Sequence, residues 1–303
     1  MKTEIQARIE QLKQQKNAVI LAHYYVSDEV QSLADYVGDS FYLAKIASTT
    51  TADVLVFCGV SFMGESAKIL NPGKTVLMPD KSADCPMAHM VAPGRIDELR
   101  ARYPDLAVVC YINSTAELKS MSDVCVTSSN ALKIVKRLPQ KNIFFIPDQN
   151  LGRYVAEQLP EKNVILNDGC CPVHAVVTAH RLLQMKSAHP NALVLTHPEC
   201  REEVVALSDF VGSTAEILSF ATKSEGEEFI ICTEMGIAYP LQMQNPNKQF
   251  FFVTDDFCCA DMKLNTPEKI LQVLKTEENE VVLDENLCAS AMRPLNRMLE
   301  LAQ

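Results

Sequence analysis

The sequence predicts an α/β protein made of three repeated parallel-sheet domains, each an αβα sandwich, arranged around a pseudo-threefold axis. Short apolar strands alternate with helical stretches along the whole chain, which is typical of parallel α/β units. This alternation recurs with a period of about 87 residues, and each repeat closes on cysteine, at Cys85, Cys170-Cys171 and Cys258-Cys259. Chance similarity among short apolar strands is the alternative to a true repeat. A chain of 303 residues can bury a core without disulfides.

Each predicted repeat contains four strands separated by helices. The first strands are 19–23, 107–113 and 192–197, and helical stretches follow at 27–34, 114–121 and 198–207. Second strands with their turns are 35–40, 123–128 and 209–214; third strands are 54–58, 143–146 and 229–232; fourth strands are 75–78, 163–166 and 249–253. The predicted domains are therefore 1–90, opened by an amphipathic helix, 91–175 and 176–262. A C-terminal helical segment, 263–303, is predicted to pack on the first repeat.

Composition and charge exclude several classes of function. With Lys+Arg 28 against Asp+Glu 38, the net charge of −10 argues against a non-specific nucleic-acid binder. The apolar stretches are strand-sized, so no membrane span is expected. The N-terminal residues carry charges throughout and lack an apolar signal region, which predicts a cytoplasmic protein with reduced thiols. An odd count of eleven cysteines then indicates core residues, metal ligands or catalysts in place of a disulfide framework.

Polar residues follow the strands at one predicted edge. His23, Asn113 and His197 come directly at or after the first strand of their repeats, and the turn serines Ser40, Ser128 and Ser213 lie 88 and 85 residues apart. Ligands of parallel α/β sheets bind beyond the carboxyl ends of the strands. If three units pack with these edges inward, their polar loops and the three terminal cysteines meet at one central cavity.

Three cysteines on three distant loops could hold zinc or an iron–sulfur cluster. Paired knuckles typical of structural zinc are absent from the sequence. A [4Fe–4S] cluster on three cysteines leaves one iron open as a Lewis acid, whereas buried small hydrophobic residues are the simpler interpretation. Cys171 is preferred over Cys170 because Cys171-Pro-Val-His174 mirrors the run from Cys85-Pro to His89. Position in the repeat does not separate Cys258 from Cys259.

Many ordered motifs resemble the quinolinate synthase family over nearly the whole chain. They are Leu21-Ala-His-Tyr-Tyr25, Ala34-Asp-Tyr-Val-Gly-Asp-Ser40, Asp84-Cys-Pro-Met-Ala88, Tyr111-Ile-Asn-Ser-Thr115, Thr127-Ser-Ser-Asn130, Cys171-Pro-Val-His174, His197-Pro-Glu-Cys200, Val211-Gly-Ser-Thr214, Thr233-Glu-Met-Gly236 and Cys259-Ala-Asp-Met-Lys263. The resemblance implies one [4Fe–4S] cluster per chain at the centre of three α/β domains. It also selects Cys259, which two residues separate from a Met-Lys pair. The implied reaction condenses iminoaspartate with dihydroxyacetone phosphate to quinolinate, with loss of phosphate and two waters.

The residue pattern and the resemblance together give a set of candidate site residues. The metal ligands are Cys85, Cys171 and Cys259; the substrate-binding residues are His23, Ser40, Tyr111, Asn113, Ser128, His174, His197, Glu199, Ser213 and Thr214; the catalytic residues are Glu199, His197, His23, Tyr25 and Tyr111. Glu199 is the leading candidate for a base, with His197 and His23 as donors to developing oxyanions. Helix capping by Glu199 and by the serines, and simple packing of the tyrosines, are the alternatives.

Two other functions remain open at this stage. One is a cysteine-ligated iron–sulfur or zinc sensor without catalysis. The other is a zinc-dependent aldolase-type enzyme acting on dihydroxyacetone phosphate. The expected partners are the two substrates, with possible coupling to an aspartate-oxidising enzyme that supplies the unstable imine, and neither nucleic acid nor membrane.

Overall fold

Three four-stranded sheets form the framework of the computed structural model, which describes residues 4–303. Every strand pair within the sheets is parallel, and all three sheets have the same order, in which the first strand of a unit lies between the second and the third. Parallel neighbours require crossover connections, and helices supply them here. The predicted fold class of three repeated parallel α/β units is confirmed.

The first unit runs from the N-terminal helix to the first of the three cysteine loops. Its strands are β1 (Ala18–His23), β2 (Tyr36–Gly38), β3 (Val54–Cys58) and β4 (Thr75–Leu77), and its helices are α1 (Glu4–Lys16), α2 (Asp28–Leu33), α3 (Ser40–Thr49) and α4 (Ser61–Leu70), followed by a 3₁₀ turn at Pro86–His89. Ser27 caps α2 and Asp39 caps α3 by accepting hydrogen bonds from backbone N–H groups of the first turn.

The second unit repeats this order. Its strands are β5 (Ala107–Tyr111), β6 (Val124–Val126), β7 (Asn142–Ile146) and β8 (Asn163–Leu166), and its helices are α5 (Arg95–Arg102), α6 (Ala116–Ser120), α7 (Ala131–Arg137), α8 (Gln149–Gln158) and α9 (Pro172–Ala175). Thr115 and Asp148 cap α6 and α8. All residues of β3 and β5 are buried, as expected for strands of parallel sheets covered on both faces.

The third unit has the same order and ends at the last cysteine doublet. Its strands are β9 (Leu193–Thr196), β10 (Phe210–Val211), β11 (Glu228–Cys232) and β12 (Gln249–Phe252), and its helices are α10 (Ala179–Ala188), α11 (Glu202–Val205), α12 (Thr214–Lys223), α13 (Ala238–Gln244) and α14 (Ala260–Lys263), with a 3₁₀ turn at Met235–Ile237. Ser213 and Glu216 form a reciprocal capping box at the start of α12.

One aspartate before the second strand marks the repeat in all three units. The bonds are Ile20 N to Asp35 Oδ2 (2.8 Å), Val108 N to Asp123 Oδ2 (2.7 Å) and Val194 N to Asp209 Oδ2 (2.8 Å). The backbone N–H of each aspartate in turn donates to the carbonyl of the same strand residue. These equivalent contacts align the units residue by residue, with offsets of 88 and 86 along the chain.

Side chain–to–backbone hydrogen bonds join the units to each other. They are Gln31 Nε2 to Gly236 O (2.9 Å) between the first and third units, Ala116 N to Glu65 Oε2 (2.9 Å) between the first and second, and Asn150 Nδ2 to Glu199 O (3.0 Å) between the second and third. Each bond satisfies a buried or half-buried backbone group across a unit boundary, where an unpaired group would cost free energy.

The C-terminal segment packs on the first unit and also on the second. It forms two helices, α15 (Pro267–Thr276) and α16 (Glu285–Leu301). Helix α15 packs on α1 of the first unit, but α16 packs mainly on α6 and β6 of the second unit and also on α4 of the first. The buried face of α16 includes Ala291, Leu295 and Met298, which is wide enough to cover the groove between two units. Among residues 4–303, no helix combines the length and apolar composition needed to cross a bilayer.

We expect Asp123→Ala to lower the free energy of unfolding by about 1–3 kcal/mol, because it leaves the half-buried contact of Val108 N without its acceptor. Asp123→Asn is the matched control, since an amide oxygen can still accept this bond, and it should cost less. Thermal and denaturant unfolding of both variants measures the difference. Equal losses would show that the repeated aspartates act through charge and not through the backbone contact.

Candidate active site

A cavity of about 260 Å³ lies where loops of the three units meet. Residues at or after the carboxyl ends of the first strands, His23, Tyr111, Asn113 and His197, all line it, as expected for parallel α/β sheets. The other predicted residues that line it are Tyr25, Ser40, Ser128, His174, Glu199, Thr214, Cys85, Cys171 and Cys259.

Ser213 is the one predicted site residue that does not line the cavity. Its hydroxyl accepts a hydrogen bond from Glu216 N at 3.3 Å, and its own backbone N–H donates to Glu216 Oε2 at 2.8 Å. The aspartate alignment makes Thr214, five residues after Asp209, the equivalent of Ser40 and Ser128. Pairing the serines by period alone is therefore one residue too early in the third unit, because the equivalent residue there is a threonine and a serine directly precedes it.

The same backbone hydrogen bond positions the cysteine loop in every unit. The residue three positions after the third strand donates its N–H to a carbonyl two residues before a cysteine. The pairs are Ser61 N to Ala83 O (2.8 Å), Gln149 N to Gly169 O (2.7 Å) and Met235 N to Phe257 O (2.8 Å). This alignment makes Cys259, and not Cys258, equivalent to Cys85 and Cys171. Cys258 is exposed, whereas Cys259 is half-buried.

The three equivalent cysteines are chemically suited to hold one metal group. Each is the residue before a short helical turn, with an extended backbone, and each residue lines the same cavity. Burial raises the pKa of Cys85 to about 12 and of Cys259 to about 11, and it raises the pKa of Cys171 well above the ordinary value. Three cysteines from three loops therefore line a common space as thiols, and a metal that displaces their protons fits this donor set.

His23 and His197 are held as neutral hydrogen-bond donors. In each, Nδ1 accepts the backbone N–H two residues later, from Tyr25 at 3.1 Å and from Glu199 at 3.3 Å. An accepting Nδ1 assigns the proton of the neutral ring to Nε2. Burial lowers the pKa of both imidazoles to about 3. Both rings can therefore offer an N–H to an anionic ligand without carrying a positive charge.

Glu199 is a buried carboxylate with one free oxygen. Its Oε2 lies 2.8 Å from His174 Nδ1 and 3.4 Å from His197 Nδ1. Burial raises the pKa of Glu199, but the contacts with His174 outweigh this effect and lower it to about 2. Its Oε1 is buried and has no hydrogen-bond partner among the described residues, and the same is true of Asn113 Oδ1. Two unsatisfied acceptors in one cavity wall indicate a ligand that donates to them.

Thr233 links residues from the first, second and third units, and sequence reasoning missed it. Its hydroxyl lies 2.9 Å from Tyr25 Oη and 3.1 Å from His174 Nε2, while Tyr25 Oη also lies 2.8 Å from Thr214 Oγ1. This network fixes the tyrosine against the imidazole. The signal that could have found Thr233 was its position directly after the third strand, next to Glu234.

Lys263 is tied to the protein on two sides. Its Nζ donates to the backbone carbonyl of Tyr25 at 2.6 Å and lies 3.0 Å from Glu234 Oε1. The side chain is about 29% exposed, whereas Glu234 is fully buried. An anionic ligand that approached this lysine would therefore compete with an existing ion pair.

A second set of potential ligands overlaps the three cysteines. The Cys171 sulfur, a ring nitrogen of His174 and a carboxylate oxygen of Glu199 lie within 4.8 Å of one another. Cysteine, histidine and glutamate together form a typical mononuclear zinc set. Cys171 belongs to both sets, so a single zinc ion there and a metal group shared by all three cysteines exclude one another.

Three α/β units that direct thiols, neutral imidazoles and a carboxylate into one shared cavity define an enzyme with a composite active site. The family model for quinolinate synthetase A protein matches residues 7–300. Proteins named quinolinate synthase from Caldicellulosiruptor saccharolyticus and Fusobacterium nucleatum are 51% and 52% identical to the chain, over 99% and 97% of it and 99% and 98% of their own lengths. The one from Aquifex aeolicus is 48% identical, over 99% of this chain and 94% of its own. The chain belongs to the quinolinate synthase family, as its sequence motifs indicated.

We expect the protein to lose stability as the pH falls from about 6.5 to about 3. In this range the unfolded histidines bind protons, but the buried His23 and His197 do not, so each contributes up to about 1.4 kcal/mol of lost stability per pH unit. Replacing His197 by Gln should flatten the pH dependence of the unfolding free energy. His180→Gln is the control, because His180 is exposed. A slope unchanged by His197→Gln would contradict a neutral buried imidazole.

Proposed function

We propose that this chain is a quinolinate synthase that condenses iminoaspartate with dihydroxyacetone phosphate, releasing phosphate and two waters, in the biosynthesis of NAD. Membership in the family supports this proposal. The single observation that carries it is the convergence of Cys85, Cys171 and Cys259 on one cavity that also holds two neutral histidines and Glu199. A sensor would gain nothing from such a set of proton donors and acceptors.

The polar wall suits the charges of these two substrates. Iminoaspartate carries two carboxylates and dihydroxyacetone phosphate carries a phosphate, so the cavity needs neutral N–H and O–H donors. His23 and His197 supply Nε2–H groups, while Ser40, Ser128 and Thr214 supply hydroxyls near the starts of α3, α7 and α12. Neutral donors bind anions and remain able to stabilise negative charge that develops on oxygen during the reaction. Asn113 and Tyr111 add an amide and a phenol to the same wall.

Proton transfers require a base and contacts that orient this base. Glu199 is ionised near neutral pH and has Oε1 free to accept a proton from a bound substrate. The low pKa of Glu199 limits the driving force for proton abstraction. Glu199 Oε2 contacts His174 Nδ1, and sharing of a proton between these two atoms is part of the proposed function of Glu199. Thr233 and Tyr25 continue this contact across the cavity. Tyr25 and Tyr111 are proposed to orient the substrates through their hydroxyls.

The three cysteines are proposed to hold one [4Fe–4S] cluster. When bound by three protein ligands, such a cluster supplies an iron with an open position, a Lewis acid that can accept a hydroxyl or carboxylate oxygen. The chain itself contributes a water-poor wall and the donors that orient the substrate. We also propose that this chain is functionally coupled to an aspartate-oxidising enzyme, which supplies the imine.

The zinc alternative keeps one specific observation in its favour, the proximity of Cys171, His174 and Glu199. Metal and sulfide analysis of protein purified without oxygen distinguishes this zinc alternative from the main proposal. Four irons and four sulfides per chain, with quinolinate formed from the two substrates, support the cluster enzyme. One zinc per chain without sulfide would identify the mononuclear set, and an iron–sulfur protein that forms no quinolinate would point to a sensor.

We expect Cys85→Ser, Cys171→Ser and Cys259→Ser each to abolish binding of iron and sulfide, because each removes one of three ligands. Cys170→Ser and Cys258→Ser are matched neighbours and should retain both. Anaerobic reconstitution followed by iron and sulfide analysis measures this. Retention of iron in Cys259→Ser together with its loss in Cys258→Ser would contradict the structural alignment of the third loop.

We expect Glu199→Gln to lower kcat by about 10²–10⁴-fold while the iron content stays unchanged, since the amide cannot accept a proton. Glu202→Gln is the control, because Glu202 lies nearby but is exposed and pairs with Arg153 on the surface. Steady-state assays of quinolinate formation give kcat for both variants. Wild-type turnover in Glu199→Gln would remove this residue from the acid–base chemistry.

A further inference from the structure

We propose that Asp148 and Glu234 are positioning residues that hold the backbone of Cys171 and Cys259 ready for the cluster, an inference that rests on the proposed function of the three cysteines. Each of the three cysteines donates its own backbone N–H to a carboxylate. The bonds are Cys85 N to Asp84 Oδ1 (2.8 Å), Cys171 N to Asp148 Oδ2 (3.0 Å) and Cys259 N to Glu234 Oε1 (3.0 Å). Cys258 N, in contrast, donates to the backbone carbonyl of Asp256 at 2.8 Å.

Two of the carboxylates occupy the same position in their units. Asp148 and Glu234 are each the second residue after the third strand, β7 or β11, and both are fully buried. In the first unit this position holds Val60, and the acceptor is Asp84, which directly precedes its cysteine and is 44% exposed. The hydrogen bond from the cysteine N–H to a carboxylate is therefore present in all three units, although its acceptor in the first unit lies at a different position. Its recurrence indicates a requirement of the cysteine loops and not of one local turn.

The bonds fix the conformation in which the sulfurs reach the cavity. All three cysteines have extended backbones, with ψ angles of 110°, 117° and 104°, and each precedes the first residue of a short helical turn. Each buried carboxyl group accepts two backbone N–H groups, one from the cysteine and one from its own loop, so it ties the cysteine to the turn after the third strand. A ligand backbone ordered in advance reduces the conformational entropy that metal binding must offset.

Both buried carboxylates also have a second task, which an amide can preserve. Asp148 Oδ1 caps α8 by accepting Leu151 N at 2.6 Å, and Glu234 Oε2 accepts Gly236 N at 2.6 Å. In Asp148→Asn or Glu234→Gln, the single amide oxygen can keep that bond. The amide NH₂ then faces the cysteine N–H, and two donors repel. Asp148→Asn therefore separates the cysteine contact from the local fold, whereas Glu234→Gln also removes the ion pair of Glu234 Oε1 with Lys263 Nζ at 3.0 Å.

The test compares Asp148→Asn and Glu234→Gln with the wild type and with Asp209→Asn. Asp209 also accepts a strand N–H, from Val194 at 2.8 Å, and lies outside the cavity wall, so its variant controls for a carboxylate-to-amide change. Each protein is reconstituted without oxygen with iron and sulfide and then exposed to an iron chelator. The rate at which the iron–thiolate absorbance and visible circular dichroism disappear is measured, together with the melting temperature of the cluster-free protein.

We expect both site variants to lose the cluster about tenfold faster or more, with cluster-free melting temperatures close to wild type and with Asp209→Asn unchanged. Asp84→Asn should have a smaller effect, because water can reach its exposed carboxylate. Wild-type rates in both site variants would overturn the inference, as would an equal loss in Asp209→Asn. Failure of the wild-type chain to bind iron and sulfide would instead overturn the proposed function itself.

Discussion

The structure depends on a backbone constraint at the carboxyl edge of each sheet. The loop that follows the third strand donates an N–H to the loop that carries the cysteine, in the same register in all three units. This bond joins two segments that lie 20 to 22 residues apart and sets the height of the cysteine above the sheet. Because the units then face one another, three such loops enclose one space. The alignment of the backbone therefore determines which side chains meet in that space.

Burial determines the charge state of the site. The wall holds imidazoles that are kept neutral and a carboxylate that is kept ionised, although all three groups are nearly inaccessible to water. The two outcomes differ because Glu199 has an imidazole partner within hydrogen-bond distance, whereas His23 and His197 accept bonds from backbone N–H groups, which favour the neutral ring. The result is a cavity that can receive anions through neutral donors while one acceptor stays free.

The repeat, its four strands per unit and most of the cavity wall could be predicted from sequence, because period-linked landmarks such as His23, Ser128 and Cys85 come directly after apolar strands. The third unit was misaligned by one residue at Ser213, since the serine was matched by residue type and the equivalent position holds Thr214. Thr233 and Asp148 were missed for another reason. Their roles depend on contacts between loops far apart in sequence, which no local pattern encodes. The packing of α16 across two units was missed because one amphipathic face is compatible with several grooves.

Division of the cavity among three units has a consequence for synthesis of the chain. The last cysteine of the set is residue 259, and α16, which covers the groove between the first and second units, ends at residue 301. The first two units emerge from the ribosome before the third, and neither contains a complete wall. A nascent chain therefore carries two cysteine loops with no third partner until residue 259 has been translated, and assembly of the site follows synthesis of the third unit.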